Sequence, residues 1–177
     1  MNIFYLDHNP KRCAQMHVDK HCVKMILEYA QLLSTAHRVI DGTINVGTSG
    51  TGRRKTSYVL SDSRESVLYS ATHINHPSAV WVRQSRENYV WLWHLFRELC
   101  AEYTFRYGRT HATERLVDVL AVVPKNISKG NFTEPTPAMP DEYKVAGDSV
   151  QSYWNYYNGD KRRMFSWKKR EQPFWIC

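Results

Sequence analysis

The chain has 177 residues, 42% hydrophobic and 13% aromatic, with a formal charge of +7 and a pI near 9.3. That length suits one domain with a sizeable core, and no run approaches the roughly 18 apolar residues of a membrane span, so no membrane partner is expected. The start, "MNIFYLDHNPKR", lacks the order of a secretory signal. Cys13, Cys22, Cys100 and Cys177 form no CxxC pair; these features fit free thiols and a cytoplasmic protein, of the host cell if the source is viral.

"NIFYL" (2–6) reads as a short strand or an extended arm. Asn9 followed by Pro10 is a helix start, a capping side chain and then proline at the first helical position. The apolar spacing predicts one long helix from Pro10 to Arg38, ending near Gly42. On one straight helix, Cys13 and Cys22 would stand about 13 Å apart, too far to bridge. Residues 41–56, "DGTINVGTSGTGRRKT", hold four of the eight glycines and read as a flexible loop. A short helix is expected over 61–74. "NHPS" (75–78) is a turn, with Pro77 opening a helical pattern to Tyr107 that breaks near Ser85 and ends at Gly108. A further helix is expected over 112–122, a proline-rich connection over 133–143, and two short C-terminal helices broken at Gly159. The predicted fold is an all-α single domain over 1–177, with a long buried N-terminal helix and at most a short N-terminal strand.

Within the first helix, His17, His21, Lys24 and Glu28 follow at intervals of four, three and four residues. At about 100° per residue they fall in a band of about 60°, which Cys13, Gln31 and Thr35 extend. Most of the remaining circumference is apolar. The band is therefore either the single wet face of a buried helix or a polar seam lining a groove. In a groove, Glu28 would hold a proton or a cation. Lys24 would contact phosphate or, if desolvated, act as an amine. Metal binding is the weaker reading of the histidines. His17 and His21 stand at i,i+4 and His73 and His76 at i,i+3, but Val18 occupies the place of a metalloprotease glutamate and no cysteine pair completes a zinc site. No metal and no cofactor are assigned.

The basic charge is local. "KRRMFSWKKR" (161–170) carries six basic residues and no acid, and "RRK" (53–55) is a second cluster. Basic runs with interleaved aromatics fit a polyanionic partner: nucleic acid, DNA first, or a nucleotide. Tyr153, Tyr156 and Tyr157 are candidate stacking faces and Lys161, Arg162, Lys168 and Lys169 candidate phosphate contacts, with Trp154 and Phe165 expected inside. Asn75 and His76, at a helix N-terminus, and Arg83 in that helix are further candidates. Gly47 and Gly52 have the spacing of half a P-loop, but Arg53 stands where lysine is required. Oligomeric state is left open.

Three segments resemble the phage pyrimidine-dimer DNA glycosylases, the endonuclease V family. "HVDKHCVKMILE" resembles that family's first helix, "INHPSAVWVRQSRENYVWLWHLFRELC" an "NHP…W" segment of bacterial proteins assigned to it, and "YWNYYNGDK" its aromatic C-terminal stretch. The resemblance implies a compact helical fold and base excision by an N-terminal amine. That amine forms a Schiff base with the damaged nucleotide's sugar, and a helix carboxylate assists. Here Asn2 follows Met1, a side chain too large for ordinary removal of the methionine. The family's glutamate falls on Lys24, with Glu28 one turn further along. The expected catalytic set is therefore Glu28 with Lys24 or the Met1 amine, flanked by His17 and His21. The alternative is a non-enzymatic nucleic-acid or nucleotide-binding phage accessory protein.

Overall fold

The computed structural model describes residues 1–48 and 50–177. It is mostly helical, with seven α-helices and one two-stranded sheet among those residues. Residues 2–6 are an extended arm rather than a strand. Side chains take the place of a neighbouring strand: Tyr29 Oη accepts the Phe4 amide at 3.3 Å, and Trp154 Nε1 donates to the Leu6 carbonyl at 2.9 Å. Ile3, Phe4, Tyr5 and Leu6 are all buried.

The long first helix is in fact two. Helix α1 spans Pro10–Met16 and α2 spans Asp19–Asp41. Asn9 caps α1, accepting the Lys11 and Arg12 amides, as the Asn-Pro pair suggests. His17 and Val18 then turn extended, with ψ of 131° and 155°. Nothing in the side-chain pattern marks this break; its cause is Arg106, far along the chain. Arg106, fully buried, donates to the Gln15 carbonyl at 2.8 Å and the His17 carbonyl at 2.9 Å. It also donates to Glu102 at 2.7 Å and to Asp19 at 3.0 Å. The guanidinium thus satisfies carbonyls that a continuous helix would have bonded itself.

Helices α4 (Pro77–Gln84) and α5 (Arg86–Tyr107) meet at Ser85, whose side chain accepts the Asn88 amide. Gly108, at φ 67°, ends α5 in the left-handed conformation that glycine adopts without cost. Met25, Ile26, Tyr29, Leu32 and Leu33 of α2 and Tyr89, Leu92, Phe96 and Leu99 of α5 lie in the same buried cluster. The buried thiols Cys13, Cys22 and Cys100 are unbridged. Helix α3 covers only Arg64–Val67, shorter than expected, because Arg38 reaches into that segment and takes the Tyr69, Glu65 and Leu68 carbonyls.

The glycine-rich stretch is a hairpin. Strand β1 (Thr43–Thr48) pairs antiparallel with β2 (Arg54–Val59), Thr43 opposite Val59 and Thr48 opposite Arg54. Its β-branched residues win over its glycines. Beyond α6 (Val117–Ala121) and the proline-rich connection, α7 spans Ser149–Tyr156 and runs on through a π-turn, Tyr157–Lys161. Gly159 does not break it. Tyr143's ring fills the space a β-carbon there would need.

Candidate functional site

The α1–α2 break decides which members of the polar band share a surface. His17 leaves it: it caps α1 and is fully buried. Its Nδ1–H donates to the Cys13 carbonyl at 2.7 Å, so Nε2 accepts the Tyr29 hydroxyl at 2.8 Å. Burial, the first cause, lowers its pKa to about 4. His17 is a satisfied core histidine, not a site residue. His21, Lys24 and Glu28 remain together on α2 and, with Met1, Asn2, Phe4, Lys20, Lys161 and Arg163, line a cleft of about 460 Å³.

Glu28 is the centre of that cleft. Its Oε1 lies 3.1 Å from Lys24 Nζ and its Oε2 3.7 Å from the Met1 amine. The Glu28 side chain is 14% exposed, against 69% for Lys24 and 4% for Met1. Asn2 fixes where the amine stands: its Oδ1 accepts the Tyr153 hydroxyl at 2.6 Å and its Nδ2 donates to the Ala138 carbonyl at 2.8 Å. Tyr153 is thereby a buried anchor, not an exposed stacking face.

His21 stacks on Phe4, ring centres 4.0 Å apart, and its Nδ1 lies 2.7 Å from the Tyr157 hydroxyl. A phenol that donates to Nδ1 leaves His21 an Nε2–H donor beside the cleft. Burial, then the nearby charges of His17, Lys161 and Lys24, lower the His21 pKa to about 3, so the ring is neutral at neutral pH. Tyr157 is fully buried and, like Tyr153, is lost as a base-stacking candidate.

The C-terminal basic run divides. Lys161 lines the cleft with its Nζ 4.3 Å from the centre of the Tyr156 ring, which also lines it. Arg163, missed by the sequence reading, lines it too, whereas Arg162 does not. Lys168 and Lys169 are drawn to the end of α5. Asp19 accepts the Lys168 amide at 3.0 Å, and Lys169 Nζ donates to the Phe105 carbonyl at 2.9 Å. Trp154 and Phe165, expected inside, are only partly buried against the core. Lys20 was also missed: it stands one turn before Lys24 on α2, at the edge of the band.

Asn75 is exposed and lies outside the cleft lining. His76 caps α4, its Nδ1 accepting the Ser78 amide at 3.2 Å. It nevertheless sits in the field of the Met1 amine and of Glu28, the amine helping burial to lower its pKa. Arg83 donates to the Ile74 carbonyl at 2.8 Å, and its buried Nη1 has no partner among the described residues. No cluster of three metal-ligating side chains occurs among the described residues, and no helix there is long and apolar enough to cross a membrane.

A second depression, about 720 Å³, is lined by Glu134, Asp141, Lys144 and Asp148. Its carboxylates are already engaged: Glu134 accepts the Ser149 amide, Asp148 the Gln151 amide, and Asp141 pairs with Lys144. Compared with family models, with curated proteins and with solved structures, the chain matches none.

Proposed function

We propose that the cleft around Glu28 is the catalytic site of a base-excising glycosylase and lyase acting on damaged or modified nucleotides in DNA. The observation that supports this most is one carboxylate holding two amines, Lys24 at 3.1 Å and Met1 at 3.7 Å, in a cleft rimmed by Lys20, Lys161 and Arg163. Phosphates flanking the target nucleotide meet those three cations. Glu28 takes a proton from one amine, freeing its lone pair. The amine attacks C1′ of the deoxyribose, the bond from C1′ to the base breaks, and the base leaves with the proton Glu28 took, which returns Glu28 to its carboxylate form. The sugar ring opens as the C1′–O4′ bond breaks, and a Schiff base forms. Loss of a C2′ proton to the carboxylate then expels the 3′ phosphate. The His21 Nε2–H is suited to donate to O4′ as that oxygen gains charge.

Of the two amines, Met1's belongs to a half-buried residue and Lys24's to an exposed one. Both are candidates for the nucleophile: the Met1 amine, which the family resemblance implies, and Lys24, which makes the shorter contact to Glu28. The alternative, a non-enzymatic binder of nucleic acid or nucleotides, draws on the same cleft, whose cations would bind phosphate.

Borohydride reduction in the presence of abasic-site DNA separates the readings. A covalent protein–DNA adduct supports the lyase. Binding without adduct leaves the accessory-protein reading.

A further inference from the structure

The β1–β2 hairpin is not part of the cleft. All six residues of β1 are exposed, and of β2 only Ser57 and Tyr58 are partly covered. It carries apolar side chains into solvent, with Ile44 60% and Val46 50% exposed. Residues 42–60 contain three basic side chains and no acid. Arg54 and Lys55 pair with no carboxylate among the described residues. The register sorts the two faces. One presents Ile44, Val46 and Thr48 opposite Tyr58, Thr56 and Arg54; the other presents Asn45 and Gly47 opposite Ser57 and Lys55.

The base is tied to the helical body. Arg38 Nη1 donates to the Tyr58 carbonyl at 3.0 Å, and Glu65 accepts the Leu60 amide at 2.7 Å. Gly42 lets the chain leave α2 there, since a β-carbon would collide with the Arg38 carbonyl.

We infer that this hairpin is an arm that lies in the major groove of B-form DNA, on the same duplex that the cleft engages. A two-stranded ribbon has the width that groove admits. Its apolar and hydroxyl face suits base edges and thymine methyl groups, and cations on both faces suit the phosphate walls. A-form RNA is excluded by shape, because its major groove is too deep and narrow for side chains to read.

A path of polar groups joins the two surfaces. Thr35, two turns beyond Glu28 on α2, exchanges hydrogen bonds with the Thr72 backbone, and Arg38 follows at the hairpin. Glu28 and Asp41, both in α2, stand about 20 Å apart along its axis. That is about six base pairs of duplex. The inference rests on the DNA reading of the cleft for the identity of the shared ligand, but not on its chemistry.

The test compares the parent with the double variant Arg54→Ser, Lys55→Ser, using fluorescence anisotropy on an undamaged 20-base-pair DNA duplex across a sodium chloride series (about two helical turns). The slope of log affinity against log salt should fall by about two units, one for each lost phosphate contact. The charge-keeping pair Arg54→Lys, Lys55→Arg should restore it. Binding to a duplex RNA of the same length should not differ between parent and Ser variant, and borohydride trapping on a short single-stranded abasic oligomer should be unchanged. An unchanged slope on DNA overturns the inference, and so does an equal loss on duplex RNA. If the parent gives no adduct at all but the slope still falls, the glycosylase reading fails and the arm stands.

Discussion

The Tyr157 hydroxyl lies 2.7 Å from His21 Nδ1, joining the π-turn after α7 to the first turn of α2. With the hydroxyl as donor, this contact sets the tautomer of His21, among the described residues the only imidazole that lines the cleft. Nitrogen-15 NMR should find His21 protonated at Nε2 alone and still neutral at pH 5. Tyr157→Phe should mix the tautomers and cost about 1–2 kcal/mol of stability, the order expected when a buried acceptor loses its donor. An Nδ1–H tautomer in the parent would remove His21 as a donor to substrate.

The buried histidines make the fold acid-sensitive. His17 and His37 are each lowered to about 4 and His21 to about 3, in every case first by burial. Their folded pKa values lie below the unfolded value near 6.5, so below pH 6.5 the unfolded chain binds more protons. The stability they contribute is therefore full above pH 6.5 and is lost as pH falls toward 3–4. Each should remove about 2 kcal/mol between pH 6.5 and 5. Urea midpoints at pH 7, 6 and 5 should fall steeply in that order; a flat profile would contradict these environments.

Arg106 sets the break that separates His17 from the cleft. Arg106→Leu leaves Glu102 and Asp19 without their buried partner and two carbonyls without donors. A loss of about 3–5 kcal/mol is expected by denaturant unfolding. A loss under about 1 kcal/mol would mean that another group holds the break.

The basic tail should act in two parts. Lys161→Ser with Arg163→Ser should lower the salt slope of DNA binding by about two units. Lys168→Ser with Lys169→Ser should leave it nearly unchanged, since those side chains are engaged at the end of α5. Equal effects from both pairs would make the tail one uniform patch.

The helical part of the fold was legible where local rules decide it: the Asn9–Pro10 start, the Ser85 break and the Gly108 stop each rest on a cap or turn preference. The α1–α2 break was not legible, because its cause, Arg106, lies about ninety residues away in sequence. The hairpin was hidden by four glycines that outweighed its alternating Thr, Ile and Val. In the site, the helical period found His21, Lys24 and Glu28 together but placed His17 among them, which only a straight helix would do. The tyrosines misled for a different reason: Tyr153 and Tyr157 bury their rings and spend their hydroxyls on Asn2 and His21, and composition cannot tell such residues from exposed stacking platforms.

The central claim is that an amine held by Glu28 does the chemistry. The most direct measurement is mass spectrometric mapping of the borohydride-trapped adduct with abasic-site DNA, for the parent and for Lys24→Met and Glu28→Gln. The parent adduct should map to the Met1 amine and persist in Lys24→Met, or map to Lys24 and vanish there. Glu28→Gln should leave the fold intact and slow adduct formation about a hundredfold. An adduct on a lysine outside the cleft, or one that forms at the parent's rate in Glu28→Gln, would contradict the account.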